Sequence, residues 1–441
     1  MNSRVFARKL LAELPKLVSS GVLDEDSSLK LREYYEPKAA DGANLTVLVF
    51  AALGALLIGG GLILLVAHNW DELGRHARAV LSILPLLFCQ IMSLWVVLTG
   101  RRGGAWSEGT GIAWHLTTGA AIALISQTYH IGGTVPDFLF GWALLTIPVT
   151  YLISSVGAFS LWVLTWSAWQ LSAFAGQMEF SWLFWPVSLI FLPYIMGVYR
   201  DNRYGGRAAL VSLAVVALTG AGCFSSYLFL KGQMSVYLAP LAATSIYLMG
   251  VNCFKEAENP RQNPLLSLGA LAVAILILVF SYEDIWRHVM SRYAYSFRDF
   301  KGAPGWWTPY GYANFALFLL SWTALLFGAL KNKVYHALSF GLLPAAVFVS
   351  WLLNKSMASY FPGVIIINIY GLAAGVFLVT RASKAGSIWA LNRAMAFIAT
   401  LIALRFFDSD LSILLKGVSF IIIGAIFLAA NFKMTRKGRV K

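Results

Sequence analysis

The sequence predicts an all-α polytopic membrane protein, a bundle of about fourteen transmembrane helices with both termini in the cytoplasm. Three observations carry this. Of 441 residues, 59% are hydrophobic and 12% charged, about half the charged share of an average soluble domain. Apolar runs near the length a membrane helix needs, about 20 residues, follow one another almost end to end. Basic residues collect in alternate connections: with the N-terminus inside, inner segments hold 23 of the 34 Lys and Arg and outer segments nine, as the positive-inside rule requires. Arg393 and Lys416, near span ends, complete the count. The expected setting is the inner membrane of a bacterium.

The net charge of +14 is spread over short loops between apolar runs. It forms no continuous basic surface, and nucleic acid is not an expected partner. Cys89, Cys223 and Cys253 are far apart and without a CxxC, so they read as small packing residues. No metal and no cofactor is implied.

Residues 1–44 carry seven basic and seven acidic residues and read as a cytoplasmic helical hairpin. Ser3 can cap a helix to about Ser20, with Phe6, Leu10, Leu14 and Leu17 at helical spacing and Gly21 at its end. Asp24 or Asp26 can cap a second helix that stops before Pro37. Two short helices bury little core alone, so the hairpin is expected to dock, to oligomerise or to recruit a cytoplasmic protein. Leu45–Ala67, at 23 uncharged residues, is too long for the 7–15-residue core of a cleavable signal. It is expected to be retained as the first span.

The bundle is expected over 45–432, with a basic cytoplasmic tail at 433–441. Its spans are 45–67, 79–98, 110–126, 138–154, 157–175, 182–199, 208–230, 235–254, 264–282, 310–330, 334–353, 362–380, 388–404 and 411–430. The fourth and fifth are divided only by Ser154-Ser155-Val156-Gly157. A single re-entrant element there would invert everything downstream. In the first span Ala51, Ala55 and Gly59 form a small-residue face suited to close helix approach. Pro85, Pro148, Pro186, Pro193, Pro240 and Pro344 lie within spans and are expected to kink or interrupt them.

The longest loop, 283–309, is outside. Trp286, Val289, Tyr293, Phe297 and Phe300 form one stripe, predicting an amphipathic helix near 284–301 in the outer interface. Trp306, Trp307 and Tyr310 then read as belt anchors.

Beyond the hairpin, nine of thirteen acids fall outside: Asp71, Glu72, Asp137, Glu179, Glu283, Asp284, Asp299, Asp408 and Asp410. None sits in the middle of a span. Ion-coupled transport usually needs an ionisable group at depth, so the sequence favours a neutral or amphipathic substrate if it transports at all. The intramembrane polar groups are Gln90, His115, Gln170, Asn314 and Asn368. Such groups commonly bridge helices, and His115 is also a candidate proton sensor.

Three outer clusters concentrate the remaining chemistry. His68-Asn69-Trp70-Asp71-Glu72 closes the first span, with His68 on one face with Asp71 and Glu72 if the helix continues. Ser126-Gln127-Thr128-Tyr129-His130 closes the third. Arg405-Phe406-Phe407-Asp408-Ser409-Asp410 joins the last two. On these residues the chain resembles a bacterial family of predicted multi-pass membrane proteins of unknown function. The likeness rests on the first span ending in His-Asn-Trp-Asp-Glu, on Gln127, Tyr129 and His130, and on the Arg-Phe-Phe-Asp stretch with the following Leu-Leu-Lys-Gly. It covers the N-terminal half best. The resemblance implies an integral membrane protein and brings no catalytic residue.

The clusters support several readings. They form a salt-bridged structural rim, or a vestibule that receives a ligand at His68, Asn69, Trp70, Asp71, Glu72, Gln127, Tyr129, His130, Arg405 and Asp408. A zinc site would draw on His68, His130 and a carboxylate, but no HxH or HExxH spacing supports it. A catalytic role would use Asp71 or Glu72 as general base, a placement similar to that in membrane glycosyltransferases acting on lipid-linked sugars. The large soluble domain expected of those enzymes is missing, so the sequence leans away from an enzyme. The leading function is a transport-like or envelope-associated binding protein in contact with membrane lipids. Its alternatives are an enzyme on a lipid-linked or amphipathic substrate, and a sensory component working through residues 1–44.

Overall fold

A computed structural model of the chain describes residues 10–40 (without 12 and 16), 70–102, 104–175, 181–229, 235–254, 262–291 and 307–407. Among them every regular element is a helix. Hydrocarbon offers no water to a backbone amide, and a helix satisfies its amides within its own segment. The chain divides into two compact units, Met1–Arg78 and Ala79–Lys441.

In the first unit the helix that includes residues 17–19 ends at Gly21, which takes a φ of 71°. The Gly21 N–H reaches Val18 O and the Val22 N–H reaches Leu17 O, both at 3.0 Å. These bonds satisfy carbonyls that a helix end would otherwise leave bare. Asp24 opens α1 (Glu25–Ala40) by accepting from the Ser27 N–H at 3.1 Å. The sequence expectation that this helix stops before Pro37 is corrected: it runs to Ala40. The absent Pro37 N–H removes one bond about a turn from the helix end, where the loss is tolerated.

α2 (Arg75–Leu98) carries the chain into the second unit. There follow α3 (Ala105–Tyr129), α4 (Val135–Ile153), α5 (Val156–Ala175), α6 (Phe184–Leu189), α7 (Leu192–Asn202), α8 (Gly206–Phe229), α9 (Ser235–Cys253) and α10 (Pro264–Phe280). The series ends with α11 (Glu283–Ser291), α12 (Trp307–Lys331), α13 (Leu338–Gly341), α14 (Leu343–Met357), α15 (Phe361–Lys384) and α16 (Ile388–Phe407). Two predicted spans, 45–67 and 411–430, lie outside the described residues, as does the Ala51, Ala55 and Gly59 face. Each of the other twelve coincides with a continuous or broken helix. Seven of the described helices are long and apolar enough to cross a membrane, or eight if the pair Tyr335–Gly341 and Leu343–Met357, bent by 45°, is one span.

Spans four and five are separate helices. Ser154 takes a left-handed conformation (φ 54°) between α4 and α5. Trp162 Nε1 donates to Ala143 O at 3.0 Å, so α5 folds back along α4.

The prolines divide into two groups. Pro85, Pro148 and Pro240 sit inside continuous helices. Pro186, Pro193 and Pro344 fall within the first three residues of a new segment, where a missing N–H costs nothing. Carbonyls at these breaks take aromatic donors from neighbouring helices. Tyr151 donates to Ile190 O, Trp166 to Phe184 O at 3.1 Å, and Trp322 to Gly341 O at 2.7 Å.

α11 begins the predicted interfacial helix, but its Trp286 is fully buried and donates to Phe280 O at 2.8 Å. Arg287 pairs instead with Glu283 and Asp284 on its own helix. Tyr293, Phe297 and Phe300 lie outside the described residues.

Candidate functional site

The outer clusters are placed as follows. Trp70, Asp71 and Glu72 form one 3-10 turn, and Leu73 and Gly74 separate it from α2. Arg78 lies over the Trp70 ring at 5.9 Å and donates from Nε to Leu73 O at 2.9 Å. His68, Asn69 and Asp408 are outside the described residues. Arg405 falls in the last turn of α16.

Gln127, Tyr129 and His130 are together at the end of α3, and all three are exposed. His130 takes the left-handed conformation, with its N–H directed to Gln127 O at 3.4 Å. The Ile131 N–H reaches Ser126 O at 2.9 Å. This stretch therefore closes a helix. Thr134 and Asp137 then form a reciprocal capping box that starts α4. The His68–Glu72 stretch and the Gln127–His130 stretch belong to different units. Among the described residues no three His, Cys, Asp or Glu side chains gather as a metal site would need.

Two other assemblies stand out. At one end of the bundle the Glu108 carboxylate crosses from α3 to the start of α5. It accepts from Ser155 Oγ at 2.8 Å, Val156 N–H at 3.1 Å and Gly157 N–H at 2.7 Å. Arg207 of α8 approaches it at 3.7 Å and donates to Ser154 O. An anion at a helix N-terminus meets both free amides and the positive end of the helix dipole. Arg203 donates to Cys253 O at 2.9 Å and draws the last turn of α9 to the same end.

The second assembly is neutral and buried. Gln170 of α5, Ser225 and Ser226 of α8, and Tyr310 and Asn314 of α12 are all nine-tenths or more buried. Asn314 Nδ2 donates to Ser226 Oγ at 2.7 Å, and Gln170 Nε2 reaches the Tyr310 hydroxyl at 3.5 Å. Trp185 of broken segment α6 lies on Gly222, one turn from these serines, and meets Phe318, one turn from Asn314. Gln170 Oε1 and Trp185 Nε1 are buried without a hydrogen-bond partner. The cluster carries no formal charge.

Sequence reasoning marked Gln170 and Asn314 as bridges between helices, which they are. It took Tyr310 for a belt anchor, and this is corrected: Tyr310 is 8% exposed, with its hydroxyl among Gln170, Asn314 and Ser225. His115 is likewise a bridge, Nε2 to Thr165 Oγ1 at 3.1 Å, with Trp142 donating to its carbonyl. Asn368 reaches Ser281 O at 3.3 Å. Glu108 and its partners were missed. The signal was present: Glu108 is the one acid between Glu72 and Asp137.

No curated protein and no solved structure matches the chain. Over residues 15–159, which take in His68–Glu72, Gln127–His130 and Glu108 with its acceptor contacts at 155–157, the chain matches the family described as Predicted membrane protein (DUF2157), whose function is unknown.

Proposed function

We propose that this membrane protein binds an uncharged, hydroxyl- or amide-bearing amphipathic molecule within its helix bundle and acts in a transport-like manner. The observation that carries the reading is the buried Gln170–Tyr310–Asn314 cluster beside a broken span. An unpaired amide oxygen at membrane depth is costly unless a ligand or water bonds it. Interrupted helices are the usual builders of substrate sites in transporters. The uncharged lining agrees with the lack of acids in the middle of any span.

The arrangement we propose has fourteen spans and cytoplasmic termini in a bacterial inner membrane. The charge bias of the loops supports it. So does the meeting of Glu108, Ser155, Arg207, Arg203 and Cys253 at one end, since alternating crossings would put their connections on one side. In this reading His68, Asn69, Trp70, Asp71, Glu72, Gln127, Tyr129, His130, Arg405 and Asp408 rim the outer entrance. Cysteines placed by D71C and R436C test it: the first is expected to label from outside and the second from inside. Labelling of both from one side would break the topology.

Binding is tested by solvent extraction of purified protein and mass spectrometry of the extract. The wild type is expected to release a hydroxylated or amide-bearing compound. Q170L, with an unchanged elution profile, is expected to retain about tenfold less, as loss of one buried hydrogen bond implies. Equal retention by the variant would sink the proposal.

A second reading rests on the hairpin. Val22, Leu29 and Tyr34 are 70%, 64% and 60% exposed, an apolar display suited to a cytoplasmic partner. Deleting residues 1–44 would then abolish signalling and leave the bundle folded.

A further inference from the structure

The turn between α2 and α3 gathers two cations and two indoles. α2 closes at Gly100 (φ 69°), whose N–H bonds Val97 O at 3.2 Å, while the Arg101 N–H bonds Val96 O at 3.1 Å. This closure folds Arg101 back over the last turn, and its guanidinium lies 4.6 Å above the Trp95 ring. Trp106, in the first turn of α3, meets Trp95 edge-on at 5.6 Å and is 54% exposed. Arg101 and Arg102 are both exposed, and among the described residues neither has a carboxylate partner.

The acid that would balance them is already engaged. Glu108 is two residues beyond Trp106 on α3, but its oxygens are turned to Ser155, the amides of 156 and 157, and Arg207. Among the described residues, therefore, nothing compensates the two guanidinium groups of this turn, which lie beside indoles that favour the headgroup depth of a bilayer. Guanidinium binds phosphate oxygens in a bidentate fork, and the cation–π contact holds Arg101 in place beforehand. We infer that this turn, at Trp95, Arg101, Arg102 and Trp106, is a binding site for the phosphate headgroup of an anionic phospholipid.

The test uses the full-length protein in neutral detergent, where sidedness plays no part, so it is independent of the topology and of the Gln170 site. The thermal midpoint is followed while phosphatidylglycerol, phosphatidylcholine or inorganic phosphate is added, since a ligand of the native state raises it. Phosphatidylglycerol is expected to raise the midpoint and the other two to leave it unmoved. R101Q/R102Q is expected to need about twenty-five-fold more phosphatidylglycerol for the same shift, because each basic side chain near an anionic surface contributes roughly a fivefold factor. K331Q/K384Q, an equal loss of exposed charge elsewhere, is expected to behave as wild type. Should R101Q unsettle the turn by losing its indole contact, R102Q alone serves, with an expected factor of about three to five. A wild-type response from both arginine variants would overturn the inference. So would an equal loss in K331Q/K384Q, which marks general electrostatics, or an equal shift with inorganic phosphate, which marks a free-anion site.

Discussion

The two halves of the bundle bring helices together by different means. In the first, α4, α5, α6 and α7 interlock large aromatic rings. Trp162, Trp166 and Trp169 are fully buried at 5.6 and 4.2 Å centroid spacing along α5, and Phe191 lies 4.2 Å from Trp162. Glycine there makes room for side chains: Gly119 for the Trp142 ring and Gly222 for Trp185. In the second half, where α9 crosses α10, glycine makes room for backbone. A methyl on Gly250 would fall 2.7 Å from Leu266 Cα, and one on Gly269 would fall 2.5 Å from Tyr247 N. Amides then staple these crossings. Asn263 Nδ2 donates to Gly250 O at 3.0 Å and Asn252 to Leu325 O at 2.9 Å. Without a hydrophobic drive between helices in lipid, close packing and such bonds must supply the attraction. A ring can turn aside from an intruding methyl. A main chain cannot.

The sharpest way to break this contrast is a matched pair of glycine variants. G250A is expected to cost about 3 kcal/mol and G222A about 1 kcal/mol, because overpacking is relieved only where a side chain can move. Thermal unfolding in detergent checks both; equal losses would erase the distinction between the halves. E108Q comes next. It keeps one amide oxygen for the α5 amides but loses the charge facing Arg207. With both side chains about a third exposed, the expected loss is about 1–2 kcal/mol, reduced by high salt in the wild type. A salt-insensitive wild type would show that the charge is immaterial.

The smallest effect belongs to the hairpin, outside both halves. The Ser27 hydroxyl and N–H hold the Asp24 carboxyl below its ordinary value of 3.8. A depressed acid stabilises the fold at pH above that value and ceases to do so as pH falls through the lowered one. Helicity of residues 1–44 is therefore expected to fall slightly between those values on acidification, with D24A showing no such step. Circular dichroism of the isolated segment against its D24A form reads the difference.

These contrasts were only partly written in the sequence. Helical spans were legible because each is a long apolar run, and the closure at Gly21 was legible because it depends on one residue and its neighbours. Orientation of a face was not. When nearly every position of a helix is apolar, periodicity no longer tells inward from outward, so Tyr310 and Trp286 read as interfacial although they are buried. Nor does proline alone announce a break. Pro148 and Pro344 occupy similar apolar runs, yet only the second begins a new segment. Of the neutral cluster, Gln170 and Asn314 could be marked singly, but their meeting through Tyr310 and Ser226 depends on three helices crossing at one depth. The outer residues gave a different case: Gln127 and His130 stood out for their side chains, and what the structure adds is that their backbone closes a helix.

The grip of Glu108 also has a consequence in time. Its donors at 155, 156 and 157 are made 47 to 49 residues after it, and Arg207 later still. During synthesis α3 therefore emerges before any of the groups that hold this carboxylate. The donors at the start of α5 become available first, and Arg207 follows when α8 emerges. The order of emergence thus gives the Glu108 contact two stages, each supplied by a segment that had not been made when α3 was.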